Sequence, residues 1–164
     1  MRCYHILTPD DSESDYFLAI TDGDVILQIC TKSFDIIKTM PLIDTNAALS
    51  SAFMDGNRLL LSMSNSIIYY YDDWQDYPWP TKIFTGHKCS KFRSRVILSR
   101  FDSNILLAGS EDGKIYIWNI QSGRIVNCLS VHEGNAGMDL IEVSENEYVS
   151  SGFDGQCYKW SIPQ

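Results

Sequence analysis

The 164-residue chain has no excess of positive charge, no paired cysteine motif and no long apolar run. Each absence removes a class of function. Thirteen Lys and Arg stand against 21 Asp and Glu, a formal net charge of −8. Such a surface repels phosphate backbones overall, so nucleic acid is a poor default partner. The five cysteines (Cys3, Cys30, Cys89, Cys128 and Cys157) are odd in number and form no C-x-x-C. Most lie in apolar strand-like runs, where a thiol acts as a small hydrophobe, and free thiols fit a reducing compartment, cytoplasmic or nuclear. The apolar stretches are far too short to cross a bilayer as a helix, and the acidic residues from Asp10 onward argue against a secretory signal. No G-x-S-x-G elbow, phosphate-binding glycine loop or H-E-x-x-H occurs, so no catalytic residue is nominated. Two of the three histidines have a nearby cysteine, Cys3 by His5 and Cys89 by His87, but zinc needs four convergent ligands. No metal and no cofactor is expected. No 3.6-residue apolar period persists over a long window, and little or no helix is expected.

What is present is a rhythm. Four times a short polar turn interrupts a pair of strand-like runs. In the third pass Ile105-Leu106-Leu107-Ala108-Gly109-Ser110 leads through Glu111-Asp112-Gly113-Lys114 to Ile115-Tyr116-Ile117-Trp118. The fourth runs from Tyr148 through Asp154-Gly155-Gln156 to Trp160. Taking Asp22, Ser64, Asp112 and Asp154 as equivalent, the turns lie 42, 48 and 42 residues apart. Asp-Gly and Asn-Ser accept positive φ and suit tight connections between antiparallel strands. Leading strands are expected at Cys3 to Leu7, Ala47 to Phe53, Arg95 to Phe101 and Met138 to Val143. Outer strands are expected at Phe34 to Met40, Thr81 to Thr85 and Arg124 to Ser130. A four-stranded antiparallel unit with two apolar faces cannot bury them alone. Radial stacking of such units solves the problem, which is the logic of a β-propeller.

These residues resemble the WD-repeat propeller family. The third repeat has Gly86-His87 before its leading strand, Ser110 and Asp112 at the hairpin and Trp118 at the end of the third strand. The resemblance implies that His87, Ser110, Asp112 and Trp118 form a hydrogen-bonded chain within the blade. A buried indole N–H, hydroxyl and imidazole each need a partner. The fourth repeat has His132, Asp154 and Trp160, with Gly at position 152, so its hydroxyl comes from Ser150. The second has Tyr70 in place of the tryptophan and Ser64 in place of the aspartate; the first has Asp22 and Gln28 at those places. The third repeat also resembles the last blades of propellers in ubiquitin-ligase scaffolds of the Gid/CTLH type. The Trp-Asp-x-Arg of cullin-linked receptors is replaced by Trp118-Asn119-Ile120-Gln121.

The expected architecture is all-β: about four propeller blades over 1–40, 41–85, 86–130 and 131–164. WD-repeat rings usually have about seven blades, so the ring is expected to be incomplete, and its open ends invite self-association or a chain that supplies blades. The expected function is a non-catalytic protein–protein interaction scaffold or adaptor, a subunit or fragment of a larger complex, with proteins or peptides as partners and no membrane. The rivals are a completing subunit of a propeller enzyme and a phosphate or nucleic-acid reader. Two stretches are candidates for contact. Trp74-Gln75-Asp76-Tyr77-Pro78-Trp79-Pro80 is a stiff aromatic loop, and Trp74, Tyr77 and Trp79 suit interface anchors, although such rings also fold back as a local minicore. Lys82, Lys88, Lys91, Arg93, Arg95 and Arg100 crowd six cations into 19 residues; of these, Lys88, Lys91 and Arg93 are nominated for partner binding, against a merely solvated loop.

Overall fold

The computed structural model describes residues 3–9, 14–21, 25–43 and 46–162. Among them there are fifteen strands and no helix. The strands are β1 Cys3–Leu7, β2 Tyr16–Thr21, β3 Val25–Cys30, β4 Ile36–Pro41, β5 Leu49–Asp55, β6 Arg58–Met63, β7 Ile67–Tyr71 and β8 Lys82–Phe84. They continue as β9 Val96–Leu98, β10 Ile105–Gly109, β11 Lys114–Asn119, β12 Arg124–Ser130, β13 Gly137–Ser144, β14 Glu147–Gly152 and β15 Cys157–Ser161. Sequential antiparallel pairing builds four meanders: β1-β2-β3-β4, β5-β6-β7-β8, β9-β10-β11-β12 and β13-β14-β15. The first three have four strands and the last has three.

Residue alternation makes the blades stack. Successive side chains in a strand point to opposite faces, and here both faces are apolar. Leu18, Ile20, Ile26 and Met40 of blade 1 meet Leu59, Leu61, Met63 and Tyr71 of blade 2. Leu60, Ile68 and Phe84 on the other face of blade 2 meet Leu106, Ala108 and Trp118 of blade 3. Leu107, Ile115 and Ile117 then meet Leu140, Tyr148 and Trp160 of blade 4. The first strands β1, β5, β9 and β13 turn toward a common axis, where His5, Ser51, Arg93, Arg95 and Asp139 line an open cavity of about 360 Å³. None of the three core clusters joins blade 4 to blade 1.

Strand register aligns the four hairpins. The pairs Ile20↔Ile26, Ser62↔Ile68, Gly109↔Ile115 and Ser151↔Cys157 each enclose a turn of equal length. Gly113, Gly155 and Ser66 occupy the same turn position, with φ of 82°, 73° and 67°. The third residue after each pair is Trp118, Trp160, Tyr71 and Ile29; the first three face the preceding blade, and Ile29 lies on the outward face of blade 1. This corrects two sequence assignments by one residue. Tyr71, fully buried, rather than Tyr70, stands in the tryptophan position of blade 2, and Ile29 rather than Gln28 stands there in blade 1. Asn65, not Ser64, takes the place of Asp112. Counting from the first polar residue of the turn misled, because these turns do not all begin at the same structural position. Asp22 lies outside the described residues.

Candidate functional site

The two histidine-centred clusters have opposite outcomes. In blade 4, His132 is fully buried and satisfied. Its Nδ1 is 2.9 Å from Asp154 Oδ2 and its Nε2 is 2.9 Å from Ser150 Oγ. Trp160 Nε1 donates to the same Ser150 Oγ at 3.0 Å. Four residues from the blade's leading loop, β14, the hairpin turn and β15 are thereby tied together. Tyr148 stacks on Trp160 at 4.7 Å.

Blade 3 carries the stronger motif and does not build the chain. His87 is buried, and neither ring nitrogen has a partner. Trp118 Nε1 instead donates to the Thr85 carbonyl at 3.1 Å, Ser110 Oγ accepts from Lys88 N at 2.9 Å, and Asp112 Oδ2 accepts from the Tyr116 hydroxyl at 2.8 Å. Register supplies the reason. Ala108 occupies the place of Ser150, so the bridging hydroxyl is missing. Ser110 occupies the place of Gly152, where a Cβ would come within 2.5 Å of His132 Nδ1. The seat that the imidazole uses in blade 4 is blocked in blade 3. Burial without a partner pushes the His87 pKa down to about 4, against a smaller upward pull from Asp112 and Glu111. The expected tetrad of His87, Ser110, Asp112 and Trp118 is therefore not assembled, while His132, Ser150, Asp154 and Trp160 are brought together.

The nominated contact residues separate. Trp74 is 2% exposed, part of the blade 1–blade 2 core and edge-on to Tyr16 at 5.9 Å, so it is an anchor of the fold and not a docking group. Its loop is pinned by Lys38 Nζ on the Gln75 carbonyl and by Asp73 Oδ1, which accepts from Gln75 N. Tyr77 and Trp79 project from the same loop, 64% and 63% exposed. The basic span does not form one stripe. Lys82 donates to the Ile120 and Gln121 carbonyls, and Arg95 is paired with Asp139 at 3.0 Å. Arg100 N donates to Glu142. Lys88, Lys91 and Arg93 are exposed on the loop before β9.

That loop has an anchor that sequence reading missed. The Glu111 carboxylate accepts from Ser90 N, Lys91 N and Phe92 N and from Ser90 Oγ. Burial pushes its pKa up, but these donors outweigh that and hold it at about 2. Fixed in this way, the loop presents Phe92 against Phe153 of the blade 4 hairpin, with ring centroids 4.6 Å apart and 43% and 54% of the two residues exposed. The signal was available: Phe153 is an aromatic residue in a tight polar turn, at the position that carries Glu111 in blade 3.

The architecture is that of a β-propeller, in the form of a four-blade arc. A chain in the crystal structure of a mitotic checkpoint complex superposes with a TM-score of 0.76 at 17% identity, over 99% of this chain and 50% of that one. No protein-family model matches. Curated WD-repeat proteins match at 28% to 34% identity. A WDS homolog of Arabidopsis thaliana is 33% identical over 127 residues, 77% of this chain and 23% of that protein. GID complex subunit 7 of Schizosaccharomyces pombe is 32% identical over 79 residues, 48% of this chain and 16% of that protein. With the blade fold, these matches place the chain among the WD-repeat proteins. It spans about a quarter or less of the length of these relatives.

Proposed function

We propose that the chain acts as a non-catalytic protein-interaction scaffold within a larger complex, in the cytoplasm or nucleus, and that it receives its partner on the Phe92–Phe153 surface. The observation that carries this reading is the exposed cross-blade pair of phenylalanines on a loop held rigid by Glu111. Aromatic anchors fixed before binding lose little entropy on association. Lys88 and Lys91 are exposed on the loop that carries Phe92, as is Arg93 at the rim of the central cavity, and in a chain of net charge −8 these cations favour an acidic segment with an apolar side chain that covers the two rings. The kinship with WD-repeat proteins, one named as a subunit of a complex, supports the scaffold role. The engagement of Lys82 with backbone carbonyls and of Arg95 with Asp139 weighs against a continuous phosphate-tracking stripe.

The test is affinity capture with the wild-type chain, a Phe92→Ala/Phe153→Ala variant and a Tyr77→Ala/Trp79→Ala variant, each checked for native circular dichroism. Partners should be lost from the first variant and kept by the second. Partners retained by both variants, or lost only with Tyr77 and Trp79, would refute the assignment.

A further inference from the structure

The basic span from Lys82 to Arg100 contains three serines, and the fold gives each a different place. Ser94 and Ser99 are 4% and 2% exposed, and their hydroxyls donate to the Gly137 carbonyl at 2.7 Å and to Glu142 Oε1 at 2.6 Å. Ser90 is exposed, as are Lys91, Phe92 and Arg93 after it, on the loop between β8 and β9. Its hydroxyl also holds that loop in place. Oγ donates to Glu111 Oε2 at 2.9 Å, while Ser90 N, Lys91 N and Phe92 N donate to Glu111 Oε1. The stretch lies outside every described strand, so one carboxylate from the blade 3 hairpin gathers these three amides.

Charge singles out the same residue. Lys88 lies two positions before Ser90, Lys91 one after it and Arg93 three after it. All three are exposed, and none has an ion-pair partner among the described residues. An exposed hydroxyl flanked by free cations, in a chain of net charge −8, suits an enzyme whose substrate groove is acidic. We propose that Ser90 is a phosphorylation site for a protein kinase that reads cations on both sides of its acceptor, and that the phosphate detaches the loop from Glu111 and takes Phe92 away from Phe153. In the transfer, Ser90 Oγ attacks the γ-phosphorus of ATP. The Oγ–P bond forms as the bond from that phosphorus to the β,γ-bridging oxygen breaks, ADP leaves, and the hydroxyl proton passes to the kinase's base.

The proton that leaves is the one Ser90 donates to Glu111. A group of charge about −2 at pH 7 takes its place, beside a carboxylate that is itself ionised. The two anions repel each other and compete for the same three amides. Whichever of them keeps the amides, the tie is cut, because the phosphate belongs to the loop and only Glu111 reaches it from the hairpin. Phe92 then loses the support that sets its ring 4.6 Å from that of Phe153. The phosphate also offsets most of the charge of Lys88, Lys91 and Arg93, so an acidic segment loses its attraction and its anchor together. The effect on partners rests on the Phe92–Phe153 reading; the effect on the loop does not.

The test uses the full chain, the catalytic domain of protein kinase C and ATP, with mass spectrometry to locate the phosphate. The folded wild-type chain should take up phosphate at Ser90, and Ser90→Ala should lose most of the uptake. Fluorophenylalanine placed at position 92 reports on the ring by fluorine NMR. On phosphorylation its resonance should move toward the one it has in Phe153→Ala, where the neighbouring ring is absent. Ser90→Ala removes only one of four donors to Glu111 and should keep the native resonance. Absence of phosphate from Ser90, or a native resonance in the phosphorylated chain, would overturn the proposal. Affinity capture of partners should fall about tenfold on phosphorylation. Undiminished capture by a phosphorylated chain with a displaced ring would refute the Phe92–Phe153 docking surface and not the site.

Discussion

His132 and His87 are both hidden from solvent, and only one of them is satisfied. The difference lies in two neighbouring side chains, Ser150 against Ala108 and Gly152 against Ser110. Ala108→Ser with Ser110→Gly should rebuild the chain in blade 3, and the His87 pKa should then rise from about 4 toward the usual imidazole range as Asp112 comes within reach. Titration of the His87 ring by NMR measures this; an unchanged value would contradict the steric explanation. The wild-type chain carries a second consequence. A histidine depressed in the folded state binds its proton more readily when unfolded, so its stabilising effect is complete above the unfolded pKa near 6.5. The effect is lost as pH falls through the interval down to about 4. Over that interval the loss is on the order of 3 kcal/mol. Denaturant melts at pH 7 and pH 4 should show it in wild type and much less of it in His87→Leu.

At the scale of elements, the hairpin turns are equivalent in conformation and unequal in surroundings. Gly113 and Gly155 share a left-handed backbone. A Cβ on Gly113 would lie 2.1 Å from the His132 carbonyl oxygen, whereas one on Gly155 meets nothing within 4 Å. Gly155→Ala should therefore cost about 1 kcal/mol, from backbone strain alone. Gly113→Ala should cost roughly 3 kcal/mol or more, because it also wedges blades 3 and 4 apart. Equal losses in chemical denaturation would show that conformation, not inter-blade contact, sets the cost. Much at this scale was legible beforehand. The polar turns and β-branched flanks located all fifteen strands within three residues at either end, because alternation and turn chemistry are local properties. The largest difference is at β9, three residues long inside an expected run at Arg95 to Phe101. The tryptophan positions of blades 1 and 2 slipped by one residue, since a turn can begin on different letters and still close the same pair. Trp74 was read as a surface anchor because proline and charge surround it. Its burial depends on Tyr16, which is 58 positions earlier.

At the scale of the molecule, four blades make only three interfaces, and the outward face of blade 1 shows what is left over. Ile6 and Ile36 are 64% and 57% exposed there, on the face that carries Phe17 and Ile29. In blades 2 and 3 the corresponding face is covered by a neighbour. An apolar sheet face of this kind favours association. Analytical ultracentrifugation of the 164-residue chain should show concentration-dependent assembly, and Ile6→Glu should suppress it without altering the far-ultraviolet spectrum. A wild-type monomer across the concentration range would remove the argument that this face requires a cover. The central cavity draws one strand from each blade, so Arg93, Arg95 and Asp139 meet His5 only because the blades are stacked about one axis.

The amino-acid order by itself determined the strand pattern and the repeat, which follow from alternation and from turn-forming residues. The residues of the blade 4 chain came from the resemblance to the WD-repeat family, and their polar groups do find partners within the blade. Tertiary structure alone decided that His87 stays unpartnered, that Trp74 is buried, that Glu111 gathers three amides and that Phe92 meets Phe153. Each of those outcomes depends on which side chains a neighbouring strand or blade brings within a few ångströms, and sequence separation carries no measure of that distance.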